Sequence, residues 1–83
     1  MPQLEIYNDN LVSVDDKNLT SIKIPDTINS IGKDVFFSFT YLTTVDLSNV
    51  KSIGDYSFYN CVSLRTINLE KVENIGKKSF LCM

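Results

Sequence analysis

The sequence contains no histidine, the side chain that most often carries a proton in enzymes and that most often binds metal ions. Catalytic triads and dyads built on histidine are therefore excluded. The sequence also has no loop of the kind that cradles phosphates, and no recognisable pair of nucleophile and base. We therefore expect a protein that is not an enzyme and that needs no cofactor.

Long apolar runs are absent as well. The longest run covers only residues 35–37, whereas a membrane span needs roughly 20 apolar residues. Lysine and arginine are scattered singly and the net charge is −2, so no basic stripe is available for nucleic acid or anionic lipid. We expect neither a nucleic-acid partner nor membrane insertion. The start of the chain lacks the pattern of a secretory signal, which predicts either an intracellular protein or a piece of a longer one.

An internal repeat of 22 to 23 residues begins at Leu19. Its three units start "LTSIKIP", "LTTVDLS" and "LRTINLE", and nearly every large apolar residue falls into a column when they are aligned. The columns are Leu19, Leu42, Leu64; Ile22, Val45, Ile67; Ile24, Leu47, Leu69; Ile28, Val50, Val72; Ile31, Ile53, Ile75; Gly32, Gly54, Gly76; Phe36, Phe58, Phe80; and Phe39, Cys61, Met83. Eight columns that agree over three units define a true repeat.

Each unit has the pattern of two short strands. The opening L-x-x-I-x-I alternates at period two and is rich in β-branched residues, which predicts a strand with one buried face. A turn and a second extended piece follow, and this piece ends at the glycine. The spacing of three from Phe58 to Cys61 to Leu64 then predicts one tight helical or 3₁₀ turn.

A single unit cannot bury enough apolar surface to fold alone, so the units are expected to stack as coils. Equivalent strands would lie about 4.8 Å apart and pair through their backbones, and each apolar column would become a ladder in one core. The glycine column, Gly32, Gly54 and Gly76, is expected either to adopt a positive φ or to let neighbouring coils approach closely at a bend.

The motif I-G-x-x-x-F-x-x-C-x-x-L, carried by Ile53, Gly54, Phe58, Cys61 and Leu64, resembles the BspA-type leucine-rich repeat of bacterial and protist surface proteins. The resemblance implies a mainly β, right-handed solenoid with a parallel sheet on its concave side and short β or 3₁₀ segments on its convex side. It also implies protein–protein contacts, adhesion to host or matrix proteins, and a place at the cell surface. The family's repeat carries no catalytic residues.

The predicted organisation is an N-terminal cap over residues 1–18 and three repeats over residues 19–41, 42–63 and 64–83. Two alternating stretches around Asn8-Asp9-Asn10 predict a β-hairpin that covers the first coil. No polar cap is visible after the third repeat, although repeat arrays need one. This predicts either a fragment of a longer array or self-association through the C-terminal edge.

A concave binding face is the main candidate site. The strand positions between the inward residues should point to solvent, and small polar side chains leave the backbone accessible there. The alternative is that they are merely solvated strand residues, with Lys23 beside Asp46 as a weak cross-strand pair. The candidate residues are Ser21, Lys23, Thr44, Asp46, Ser48, Thr66, Asn68 and Glu70.

Two further groups of residues have simpler interpretations. Cys61 shares its column with Phe39 and Met83, so we expect a buried, unreactive thiol. A disulfide from Cys61 to Cys82 conflicts with the opposite side-chain directions that their positions predict, and the spacing of the two cysteines matches no metal pattern. Tyr41, Tyr56 and Tyr59 form either a second contact surface or packing over the coil edges.

The sequence thus leaves two functions open. The first is a binding module whose concave face contacts a protein or an extracellular-matrix ligand. The second is a structural spacer or self-assembling unit within a longer array.

Overall fold

The computed structural model describes residues 3–81, and within this range it contains eight short strands and no helix. Two of the strands precede the repeats, and each repeat contributes two. The strands are β1 (Leu4–Tyr7), β2 (Asn10–Val14), β3 (Ser21–Lys23), β4 (Ser30–Ile31), β5 (Thr44–Asp46), β6 (Ser52–Ile53), β7 (Thr66–Ile67) and β8 (Asn74–Ile75). They form one five-stranded sheet, ordered β1-β2-β4-β6-β8, and one three-stranded sheet, ordered β3-β5-β7.

Strands one repeat apart pair in parallel, as the aligned columns predict. In the three-stranded sheet, Ser21 lies opposite Thr44 and Thr44 lies opposite Thr66. In the five-stranded sheet, Ile31 pairs with Ile53 and Ile53 with Ile75. Each repeat therefore forms one coil with a strand in both sheets, an arrangement compatible with a repeat solenoid.

The first two strands form the predicted hairpin. They pair antiparallel through the two-residue turn Asn8-Asp9, whose φ angles of 47° and 67° are both in the left-handed region, as a type I′ turn requires. β2 then pairs in parallel with β4, which places Leu11 opposite Ile31. The hairpin thus extends the five-stranded sheet, whereas β3 is the outermost strand of the other sheet.

After each glycine the chain forms a turn segment, defined here as residues 33–38, 55–60 and 77–81. No α- or 3₁₀-helix occurs within residues 3–81, but tight turns are present at the predicted spacing: the Cys61 amide donates to the Phe58 carbonyl at 3.3 Å and the Leu64 amide to the Cys61 carbonyl at 3.1 Å. Residues with positive φ, such as Asp34 (62°) and Ser38 (58°), break the helical path into separate turns. Each segment is fixed instead by its neighbour: the Asp34, Phe36 and Ser38 amides donate to carbonyls of the next segment at 3.1, 2.8 and 2.8 Å.

Of the two roles expected for the glycine column, close approach is the correct one. No glycine has a positive φ; the left-handed residues lie two positions later, at Asp34, Tyr56 and Lys78. A Cβ on Gly54 would lie 2.7 Å from the Gly32 carbonyl carbon and 2.7 Å from the Lys33 nitrogen, closer than carbon atoms can approach. The coils are therefore in direct backbone contact at this column.

The core lies between the two sheets and the turn segments. Phe36, Phe58 and Phe80 stack along the coils with ring centroids 5.0 and 5.3 Å apart, and Phe36 and Phe58 are fully buried. The apolar columns are less buried in the third coil. Leu69 is 37% and Ile75 is 53% exposed there, although both belong to columns that face the core.

Candidate functional site: the face of the three-stranded sheet

The outer face of the three-stranded sheet is built by alternation along its strands. Ser21, Thr44 and Thr66 are exposed and lie side by side, one from each coil. The next residue of each strand turns inward: Val45 is buried, and Ile22 and Ile67 pack against the core. Apolar burial behind the sheet thus holds a row of three small hydroxyl side chains toward solvent.

Lys23 and Asp46 lie opposite each other in the register of β3 and β5, as predicted. Lys23 is exposed and Asp46 is half-buried. The Asp46 carboxylate also has a local role, because its Oδ1 accepts a hydrogen bond from the Ser48 amide at 3.0 Å. Ser48 has a φ of 53°, so this bond stabilises a left-handed turn immediately after the strand.

Two more of the predicted site residues, Ser48 and Asn68, also form hydrogen bonds with backbone groups. The Ser48 hydroxyl donates to the Ile24 carbonyl at 2.8 Å. The Leu47 amide donates to Asn68 Oδ1 at 2.6 Å, whereas in the preceding coil the equivalent Ile24 amide donates to the backbone carbonyl of Asp46 at 2.8 Å. The Asn68 side chain therefore replaces a backbone acceptor between coils.

The eight candidate residues consequently divide into two groups. Asp46, Ser48 and Asn68 are engaged in hydrogen bonds that fix the turns between sheets. The other five are exposed, and they present hydroxyl groups, one cation and one carboxylate to solvent. They are Ser21, Lys23, Thr44, Thr66 and Glu70.

Sequence reasoning missed a pair of buried serines under the turn segments. Ser57 is fully buried, and its hydroxyl lies 2.8 Å from the Gly32 carbonyl oxygen and 2.6 Å from that of Gly54. Ser79 repeats the arrangement with Gly54 and Gly76 at 2.9 and 2.8 Å. The column Val35, Ser57, Ser79 was visible in the sequence, but small hydroxyl residues in a loop look like ordinary surface.

Cys61 is a core residue, as predicted. It is fully buried, and its Sγ lies 3.0 Å from the Phe36 carbonyl oxygen. Burial raises the pKa of the Cys61 thiol to about 11, which disfavours the reactive thiolate at neutral pH. Cys82 and Met83 lie outside the described residues, so the expectation that Cys61 forms no disulfide with Cys82 and the place of Met83 in its column stay predictions.

Two of the three tyrosines fit the packing interpretation. Tyr59 stacks on Phe37 with centroids 5.1 Å apart and meets Tyr56 edge-on at 5.6 Å, so these rings pack over the coil edges. Tyr41 is 60% exposed.

The described range contains neither a close group of metal-binding side chains nor a membrane-spanning helix. Among residues 3–81, no three or more acidic or cysteine side chains are grouped closely enough to hold a metal ion. The same part of the chain has no helix that is long and apolar enough to cross a membrane.

The stacked coils, the parallel pairing of equivalent strands and the exposed sheet face define a leucine-rich repeat protein of the short-period class. The chain belongs to the BspA-type leucine-rich repeat family: the protein-family model described as "BspA type Leucine rich repeat region (6 copies)" matches residues 12–83. The match begins within β2, seven residues before the first repeat predicted from the columns. No curated protein and no solved structure matches the chain in the other two comparisons.

Membership of the family carries general functional information. Repeats of the BspA type are generally repeats of protein interaction and adhesion, they are generally surface-associated, and leucine-rich repeat proteins are typically not enzymes.

Proposed function

We propose that this protein is a non-catalytic interaction or adhesion module that binds a protein or extracellular-matrix ligand through the outer face of the three-stranded sheet. The single observation that carries the proposal is the exposed row Ser21, Thr44, Thr66, held in register over an apolar row that packs into the core. Such a face is polar and is held in place by strand pairing, so little conformational entropy is lost when it binds a partner. We place the module at the cell surface, in line with its family.

The centre of the face gives the sharpest test. Thr44 lies between Ser21 and Thr66, so Thr44→Arg should place a long charged side chain in the middle of any interface. We expect binding to immobilised collagen, laminin or fibronectin, whichever the wild-type protein binds, to weaken at least about tenfold, because central interface positions dominate affinity. Surface plasmon resonance measures this loss directly.

Thr27→Arg is the matched control. Thr27 is exposed in a turn outside the sheet, and the third repeat already has a basic residue, Lys71, at the equivalent position. The free energy of unfolding of both variants should lie within about 0.5 kcal/mol of the wild-type value, because substitutions at exposed positions seldom change it by more. Equal binding by the two variants, with the wild-type protein binding the ligand, would contradict the assignment of the face.

Self-assembly is the second candidate function, and the outermost coil favours it. Ile75 and Leu81 are 53% and 44% exposed there, and β7 and β8 are edge strands of their sheets. Apolar edges of this kind pair with further chains. If this edge assembles copies of the protein, the mass measured by light scattering should rise with concentration for the wild-type protein and stay at one chain for Ile75→Lys. A wild-type monomer at every concentration would exclude this function.

A further inference from the structure

A groove of about 320 Å³ lies where the hairpin meets the first turn segment, residues 33–38. Its walls come from the end of β2 and the loop after it on one side, and from the first coil on the other. The lining residues include Ser13, Val14, Lys17, Val35, Phe37 and Phe39. The groove is distinct from the sheet face, because none of its lining residues belongs to β3, β5 or β7.

The backbone beside this groove lacks hydrogen bonds that the other coils have. The carbonyls of Asp55, Ser57 and Tyr59 each accept an amide from the preceding turn segment, at 3.1, 2.8 and 2.8 Å. The carbonyls of Lys77, Ser79 and Leu81 do the same at 3.0, 2.9 and 3.0 Å. One repeat earlier the equivalent carbonyls are those of Lys33, Val35 and Phe37, and no residue within the described range 3–81 donates to them.

The side chains show the same missing neighbour. Phe37 and Tyr59 belong to one column of the turn segments, and their rings stack 5.1 Å apart. Phe37 also lines the groove, where the preceding member of the column would lie. The molecule itself therefore indicates what covers such a surface: a length of main chain with amide donors at alternate residues and an aromatic side chain.

A second copy of the protein stacked end on does not fit. Any coil above the first turn segment would need its own strand beside β4, and β2 already occupies that place, with β1 beyond it. A short peptide segment has no such strand and meets no such obstacle.

We propose that this groove binds a short peptide segment of a partner protein, which adds to the stack as one further turn segment. Its amides donate to the carbonyls of Lys33, Val35 and Phe37, and its aromatic side chain stacks on Phe37. This is peptide recognition by extension of an existing backbone ladder, in which main-chain bonds supply affinity and a pocket supplies selectivity. It does not depend on the sheet face being a binding site.

The probe is a synthetic peptide with the sequence of a segment that covers a coil in this protein. Residues 32–40, "GKDVFFSFT", acetylated and amidated, are titrated into the isotope-labelled protein and followed by NMR. We expect saturable shifts at the amides of Ser13, Val14, Lys17 and Val35. A peptide N-methylated at the position of Phe36 keeps every side chain but loses a donor, and it should bind about tenfold more weakly.

With the wild-type protein, the proposal would be overturned by equal binding of the N-methylated peptide, or by saturable shifts only around Ile75 and Leu81 at the other end of the stack. No saturable shift up to the solubility limit of the peptide would overturn it too. Ser13→Trp fills the groove and should abolish binding, whereas Thr27→Trp, at an exposed turn position outside both the groove and the sheet face, should bind normally. Normal binding by a folded Ser13→Trp protein would also exclude the groove.

Discussion

Gly54 shows how one residue limits the spacing of the coils. Its φ is not positive, so alanine suits its backbone conformation, but the added Cβ would meet the Gly32 carbonyl carbon and the Lys33 nitrogen at 2.7 Å. These are backbone atoms in hydrogen-bonded coils and cannot move aside individually. We expect Gly54→Ala to lower the free energy of unfolding by about 1–3 kcal/mol, as overpacking does in other cores, measured by urea denaturation.

Gly32→Ala is the matched control for this prediction. A Cβ on Gly32 would have its nearest contact at 3.1 Å, with the Leu11 carbonyl oxygen, because only the hairpin precedes it. Its cost should be clearly smaller than that of Gly54→Ala. Equal costs at both positions would mean that close coil contact is not the reason for the glycine column.

Residues also differ in how far the sequence could reveal their roles. The burial of Cys61 followed from its apolar column, because a column fixes which side of the chain faces the core. The structural bonds of Asp46 and Asn68 did not follow, since a polar residue between two inward positions looks the same whether it bonds the backbone or solvent. Five of the eight candidate residues therefore stay candidates for direct contact, and three have a structural role.

At the scale of elements, the hairpin turn combines two left-handed residues. Asp9 has a φ of 67°, which a residue without Cβ adopts freely and a β-branched residue adopts only with strain. Asp9→Gly should therefore preserve or raise stability, whereas Asp9→Val should lower it by about 1–2 kcal/mol. The difference in melting temperature between the two variants measures this effect.

Both substitutions keep the Asp9 carbonyl that accepts the Asn29 amide at 2.8 Å, so the comparison isolates backbone conformation. A valine variant as stable as the glycine variant would show that the turn does not adopt these angles.

Elements with a regular sequence period could be predicted, and those without one could not. The alternation in Thr44–Asp46 and the repeat offset together specified the strands and their partners, because parallel pairing at a fixed offset is the only way to bring equal columns together. The turn segments were not predictable in detail. Asp34, Tyr56 and Lys78 adopt positive φ although none is a glycine, and their residue types do not announce this conformation.

At the scale of the whole molecule, the two ends of the stack differ. The hairpin adds two strands to one sheet beside the first coil, while β7 and β8 form open edges on the last coil. Within residues 3–81, the groove and the exposed apolar edge both lie on coils with a repeat on one side only, whereas the coil of residues 42–63 has a repeat on each side. The exposed edge was expected from the lack of a polar cap, but the groove was not, because the columns describe only what the repeats share.

The stack itself underlies the sheet face, the groove and the open edge, and NMR contacts between coils test it most directly. Nuclear Overhauser effects should connect the backbone of Thr44 with that of Ser21 and of Thr66, and likewise Ser52 with Ser30 and Asn74. Strand spacing of about 4.8 Å puts these protons within reach. Contacts at another offset, or none between residues one repeat apart, would contradict the stack and the functional proposals built on it.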